Sequence, residues 1–500
     1  MNKWQNTELD LGYPLSRQQL LLATENRSKL RSFWFELPLN QNVETIKNTL
    51  LSLMHSHQAL TTYFAKPAGF DVIRQQVQSP RLIIEEQQHS LETDLTVKQK
   101  KEFELLAHRQ FDVDMPHLLV WCWQTKHTLI LQLIGPALML DHNSAYNVYT
   151  QLLKGNECIA VTANQEEDET MQYPEYLTWI NELQDDEDAD NAKQFWKDLS
   201  LDGMGNVRLT EQNQMSQTSS VNSAINHEHV FIDIPKVIQN KLTELSVSLN
   251  CSSKDIVVNA WVVLLSKLSS NDEFKLDYFH DCRHDYEEFE NALGCFTQPL
   301  PIPFYHIFNT DLAGACQGFA QLFEEIKENQ EYIASIGEMA NVYCNAGYVW
   351  RKQNKLSDMY CTSAVGDNEL LLEYLEVEQG NGQFTLSYSS NRYQQQAMKR
   401  ALEHFYNLLI TMLDAPQNKV STLNPLLSDE QSGNFIAQSA HLSLAANQHQ
   451  DTNIIDLFKQ QAKAFPNNIA IKSSNDTITY RALDRLTDKY ASAFQAMPSE

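Results

Sequence analysis

The chain of 500 residues carries 38 Lys and Arg against 64 Asp and Glu, a formal net charge of −26, with 42% hydrophobic and 10% aromatic residues. That length predicts two to four folding units with enough apolar mass for sizeable cores. The acidic excess excludes a binder of nucleic-acid phosphates and argues against an anionic membrane surface. Eight scattered cysteines with no Cys-x-x-Cys pair read as buried reduced thiols, not as a zinc or disulfide framework, so no metal is expected. The first residues, Met1 to Glu8, lack an apolar signal core, and no apolar run approaches the length of a membrane span, so cytoplasm is the predicted compartment.

In chain order, Val43 to Ser56 places apolar residues at helical spacing, and Leu118 to Ile134 holds two strands joined at Gln124-Thr125-Lys126-His127. The apolar run Thr128 to Ile134 reads as a buried strand and Ala145 to Leu153 as a helix. The loop between them, Gly135-Pro136-Ala137-Leu138-Met139-Leu140-Asp141-His142-Asn143-Ser144, is a strand-to-helix turn, a place from which side chains project into a cleft. A lone Asp before a helix is ordinarily an N-cap. The acidic runs Glu166 to Glu169 and Asp185 to Asp188 read as solvated segments, and the polar run Gln212 to Asn226 as a flexible loop. Helices are predicted over Pro235 to Asn250 and Asp255 to Ser269, then strand, turn and helix to about residue 415. Periodicity by itself gives an α/β chain of two lobes with no fixed repeat.

The loop resembles the signature His-His-x-x-x-Asp-Gly of condensation domains of nonribosomal peptide synthetases, with Asp141 at the Asp and Pro136 and Ala137 at the two His positions. It also resembles the Asp-x-x-x-x-Asp-x-x-Ser of the sister heterocyclisation domains: Asp141 to Ser144 match its second half, and Pro136 stands at the first Asp. Other segments follow the family in order over residues 10 to 415. Tyr13 to Gln19 is similar to the opening motif, and His57-Gln58-Ala59-Leu60-Thr61-Thr62-Tyr63-Phe64 to His-Glu-x-Leu-Arg-Thr-x-Phe. Phe111 to Pro116 resembles the segment ahead of the catalytic strand; Tyr176 to Trp179 and Phe195 to Asp198 resemble the tryptophan motifs. Leu293-Gly294-Cys295-Phe296-Thr297-Gln298-Pro299-Leu300-Pro301 resembles Gly-x-Phe-x-Asn-x-Leu-Pro, and Phe384 to Tyr388 with Leu402 to Phe405 the closing strand and helix. Beyond a linker over 416–452, Ile454 to Ala462, Phe465-Pro466, Ile469 to Ile471 and Thr479 to Leu483 resemble the start of an adenylation domain.

The resemblance implies an α/β (α+β) fold: two chloramphenicol-acetyltransferase-like subdomains in a V with a central tunnel, plus a partial adenylation-domain N-terminus. The N-lobe would span 10–170, the C-lobe 171–415 with linker helices at 171–200, and the adenylation start 453–500. The chain ends before any phosphate-gripping loop, so it is not expected to adenylate. Implied partners are donor and acceptor peptidyl or aryl carrier proteins, whose phosphopantetheine arms bring the substrates, and the adjacent adenylation domain; no cofactor is expected on this chain, and neither nucleic acid nor membrane is a partner.

The departures from the family fall on the chemistry. Ala137 occupies the place of the family's general base, and Thr61 the place of the arginine that pairs with the signature Asp. Asp141 therefore needs another partner or water, since an unpaired buried carboxylate is costly. His142 is the candidate replacement base, against a cleft histidine with no proton role. His55 and His57 read as helix-end histidines with local hydrogen bonds. Ser144 reads as a hydroxyl at a helix start, and Ser144, Gly294, Thr297 and Gln298 are the candidate tunnel residues. Arg283 either anchors a bridging loop or makes a surface salt bridge. Two readings stay open. In one, the domain is catalytically impaired and docks carrier proteins; in the other, it is an active condensing or cyclising acyltransferase of secondary-metabolite or siderophore biosynthesis, relying on Asp141 and on positioning.

Overall fold

The computed structural model describes residues 12–24, 30–67, 72–87, 97–155, 171–184, 189–199, 201, 204–207, 209, 227–269, 271, 273–305, 310–335, 344–361, 368–427, 454–472 and 477–495. The two acidic runs and the polar run at Gln212 to Asn226 lie outside the described residues. The chain divides into two units, Met1–Leu426 and Leu427–Glu500.

The first unit opens with α1 (Arg17–Thr24), β1 (Leu30–Pro38) and α2 (Val43–Ser56), followed by β2 (Thr62–Ala65), β3 (Arg74–Val77) and β4 (Leu82–Glu86). Then come α3 (Val97–Asp114), β5 (Leu118–Gln124), β6 (Thr128–Pro136), α4 (His142–Lys154), α5 (Tyr173–Leu183) and α6 (Ala189–Asp198). Its second half holds β7 (His227–Ile234), α7 (Lys236–Leu249), α8 (Ser253–Ser269), β8 (Phe274–Asp281), β9 (Thr297–Phe304) and α9 (Leu312–Glu328). It closes with β10 (Ala346–Gln353), β11 (Met359–Cys361), β12 (Leu370–Val377), β13 (Gly382–Ser389) and α10 (Gln395–Asp414). The predicted hairpin at 118–134 is present as β5 and β6, and the three helices predicted from periodicity are α2, α7 and α8.

Two sheets carry the unit: a five-stranded one in the order β11-β1-β6-β5-β4 and a six-stranded one in the order β7-β13-β12-β10-β8-β9. β5 and β6 read as continuous apolar runs because both faces are covered. One core lies under the first sheet and takes Ile46, Leu50 and Leu53 from α2 and Ala145, Val148 and Leu152 from α4. The larger core surrounds α8, whose residues Asp255 to Ser266 are all buried; the stretch is mostly apolar on every side because sheet and helices enclose it.

The two lobes are not cleanly successive in sequence. The three residues of β11, late in the chain, pair antiparallel with Phe33, Trp34 and Phe35 of β1. Tyr173, Tyr176 and Leu177 of α5, with Phe289, Leu293 and Phe296, pack into the core of the first sheet. The expected boundary at 170/171 therefore does not follow the cores: α5 belongs with the first lobe because its aromatic face is buried there.

The second unit, described by itself, consists of α11 (Ile454–Ala464), β14 (Ile469–Lys472), β15 (Thr477–Thr479) and α12 (Tyr480–Gln495), with β14 and β15 paired antiparallel. Among the described residues no helix is long and apolar enough to cross a membrane.

Candidate functional site

The loop after β6 brings Asp141 to the N-cap of α4, where its Oδ1 accepts the Ser144 backbone N–H at 2.7 Å. The carboxylate is 2% exposed. Arg283, from the tight turn Cys282–Asp285 after β8, reaches across and donates through Nη2 to Oδ1 at 3.1 Å and to Oδ2 at 3.0 Å. Thr297, opening β9, donates to Oδ2 through its backbone N–H at 2.9 Å and its hydroxyl at 3.0 Å. Burial would raise the Asp141 carboxyl, but Arg283 and the bonds from Ser144 and Thr297 hold it below the usual carboxylate range. Asp141 has found another partner, as the loss of arginine at Thr61 required.

Arg283 is 1% exposed, which corrects the expectation of a surface salt bridge. Its Nη1 donates to Asp281 Oδ2 at 2.6 Å, and its guanidinium lies 4.6 Å from the Phe296 ring centroid. Asp281 also accepts from Asn143 Nδ2 at 2.5 Å. Ser144 is fully buried: its hydroxyl donates to the Gly294 carbonyl at 2.8 Å and accepts from the Gly294 N–H at 3.0 Å and from Arg283 Nη2 at 2.8 Å. The proton and both lone pairs of this hydroxyl are spent on the opposite segment. Ser144 is therefore a cross-link, and the expectation that it lines the tunnel is corrected. Gly294 is likewise no lining residue; a Cβ there would overlap the Tyr173 ring.

His142 begins α4 and is 8% exposed. Arg351 Nη1 lies 2.6 Å from its Nδ1; guanidinium is always a donor, so Nδ1 is the acceptor and the ring proton sits on Nε2. Nε2 lies 3.1 Å from Gln353 Nε2, while Gln353 Oε1 has no partner among the described residues. Turning that amide pairs Nε2–H with Oε1 and satisfies both. Burial, then Arg351 and Arg31, keep the His142 pKa well below its ordinary value. Its lone pair is occupied and its cationic form disfavoured, so His142 is a poor base.

Of the remaining expected positions, Pro136 pairs with Leu30 at the end of β6, and Ala137 is buried. Thr61 is buried and turns its hydroxyl to the Gln58 carbonyl at 3.2 Å. Gln298 does not reach Asp141; it donates to Gln330 Oε1 at 2.9 Å. His55 bonds the Leu51 carbonyl at 2.6 Å, and His57 caps the end of α2.

Two cavities meet at this point. One, of about 370 Å³, is lined by His142, Asn143, Thr297, His280, Phe323 and Lys254 among others. The other, of about 710 Å³, is lined by Trp34, Tyr360, Phe231, Glu373, Leu375 and Ser387 among others. Both touch His142, Arg351 and Cys361. Arg351 is in turn held by Glu373 at 3.0 Å. Sequence reasoning missed Arg351, Gln353 and Gln330, which lie far from the loop in sequence and within no motif.

Residues 12–339 match the condensation domain family. The chain belongs to the condensation domain family. Among curated proteins it is 22% identical over 501 residues to the polyketide synthase PksN of Bacillus subtilis (strain 168), covering 92% of this chain and 9% of that protein. It is 20% identical over 523 residues to a plipastatin synthase of the same organism, covering 96% and 14%. The chain thus spans a small part of the relatives it matches. Among solved structures, the first condensation domain of the calcium-dependent antibiotic synthetase, in complex with a substrate analogue, aligns with a TM-score of 0.67 at 10% identity, covering 83% of this chain and 99% of that one. The X-domain from teicoplanin biosynthesis, in complex with OxyB, gives 0.63 at 16%, covering 84% and 97%. A four-domain nonribosomal peptide synthetase gives 0.63 at 15%, covering 97% and 39%. The mixed α/β condensation-domain fold, related to chloramphenicol acetyltransferase, is that of this chain.

Proposed function

We propose that this condensation-superfamily domain binds carrier-tethered acyl substrates in the cavities beside α4, with its signature loop acting as a clamp between lobes and not as a catalyst. The observation that carries this is the complete occupation of Asp141 by Arg283, Ser144 and Thr297. Its charge is cancelled, and no lone pair is left aimed at a substrate. Pro136 and Ala137 have no proton to exchange, and His142 is locked on Arg351. On this reading the domain is impaired in the family's usual proton transfer and serves chiefly as a docking platform. The X-domain that resembles it was captured in complex with another protein, OxyB.

One observation favours a second reading, active condensation or heterocyclisation. Two cavities adjoin at His142 and Arg351, an arrangement suited to two substrates held head to head, and proximity alone lowers a bimolecular barrier by several kcal/mol. The motif order in 454–483 supports reading the second unit as the start of an adenylation domain, and a synthetase of four domains aligns over nearly all of this chain. Phosphopantetheine arms are then the groups that enter the cavities. The test is binding of one carrier protein in apo and holo forms to the full chain by titration calorimetry. Tighter binding of the holo form is expected, because only it has an arm to insert. Equal affinities contradict insertion.

A further inference from the structure

A second pair of titratable side chains opens on the smaller cavity, on the wall facing the loop. His280 lies near the end of β8, and the tight turn Cys282–Asp285 folds back so that Asp285 Oδ2 lies 2.6 Å from His280 Nε2. Gln330 Nε2 donates to the same carboxylate oxygen at 2.8 Å, and Gln298 Nε2 holds Gln330 Oε1 at 2.9 Å. The His280 side chain is 10% exposed and its ring packs edge-on against Phe323, with ring centroids 5.4 Å apart. Burial opposes the charge on Asp285, but the hydrogen bond from His280, then that from Gln330, keep its carboxyl below the ordinary range.

A carboxylate on Nε2 fixes the ring proton there and leaves the lone pair on Nδ1. No described residue is hydrogen-bonded to Nδ1, that atom is not among the buried unsatisfied ones, and His280 is one of the residues lining the smaller cavity. The contrast with His142 is direct: there a guanidinium occupies the lone pair, here a carboxylate orients the ring and frees it. The order His280-Asp281-Cys282-Arg283-His284-Asp285 is the densest run of titratable residues near the site.

We propose that His280, oriented by Asp285, is the proton acceptor of this cavity, serving amide formation between an amine and an acyl thioester. It rests on the reading that thioester-bearing arms enter the cavity, and goes beyond docking by placing a base outside the loop. Nδ1 takes a proton from the amine as its nitrogen attacks the thioester carbonyl carbon. The C–N bond forms, the C–S bond breaks, and the imidazolium returns the proton to the departing thiolate, leaving an amide and a free thiol. His280 is the catalytic residue; Asp285 is a positioning residue.

The test is single-turnover mass spectrometry of the full chain with an acyl-pantetheine thioester and an amino-acid amide as acceptor. Binding of a non-reactive acyl-pantetheine thioether is measured in parallel. His280→Ala is expected to slow amide formation by about 100-fold or more with thioether binding unchanged, and added imidazole to restore part of the rate, which a merely structural role would not produce. His280→Gln, which keeps a donor toward Asp285, guards against loss of folding, and is expected to be as slow as His280→Ala. Asp285→Asn is expected to lower the turnover rate without changing KM. Native protein that binds the thioether yet makes no amide above the blank overturns the proposal, as does a His280→Ala variant as fast as the native chain. Native protein that fails to bind the thioether overturns the carrier-substrate reading itself.

Discussion

Asp141 and His142 are adjacent, and each is bonded to an arginine in a different way. Arg283 cancels the charge of Asp141, while Arg351 occupies the lone pair of His142. Buried ionisable groups of this kind leave a mark on stability. His57, part-buried at the end of α2, is pushed down by burial to about 4. Its folded value lies below the unfolded value near 6.5, so the unfolded chain binds the extra proton. The contribution of neutral His57 is therefore complete above about pH 6.5 and is lost as the pH falls towards 4. Asp277, Glu331 and Glu369, all raised by burial, act in the opposite sense, so the comparison must be made within one position. Urea unfolding of His57→Gln against the native chain is expected to show the variant gaining relative stability between pH 6.5 and 4. A gap independent of pH contradicts the assignment.

Among the elements, the segment between β8 and β9 ties the loop before α4 to the first core. It supplies Arg283 to Asp141, Gly294 to Ser144, and Phe289 and Phe296 to the core beneath α5. The approach of this segment to α5 requires glycine at 294, because an added methyl would overlap the Tyr173 ring. Gly294→Ala is expected to cost about 1–3 kcal/mol, read as a lower denaturant midpoint at unchanged slope; an unchanged midpoint means the ring moves aside freely. Local elements were legible in the sequence: α2 from its period, and β5 and β6 from apolar runs around a polar turn. Asp141 was legible as an N-cap and as a residue in need of a partner. That Arg283 is the partner was not, because the two are 142 residues apart, and a three-residue strand such as β11 has too little pattern to show that it crosses to β1. The His280–Asp285 pair had a signal, five residues apart across a short turn, that the loop motif overshadowed.

The molecule is two units of unequal substance. The first, ending at Leu426, contains both large sheets, the clamp and the two cavities at His142. A chain ending at Leu426 is expected to keep the unfolding midpoint of the full chain's main transition; a fall of several degrees contradicts two separate units. The net charge of −26 sets the terms for any acidic partner: repulsion weakens as salt screens it, so association is expected to quicken between low and physiological ionic strength. Slowing would reveal a local basic surface that outweighs the overall charge. Above all, the proposed clamp role of the Asp141 loop is read by the unfolding free energy of Asp141→Asn in urea. Removing one partner of a buried pair costs about 3–5 kcal/mol, and with Asp281 still beside Arg283 a loss near the lower end, about 3 kcal/mol, is expected. A variant as stable as the native chain would contradict the clamp.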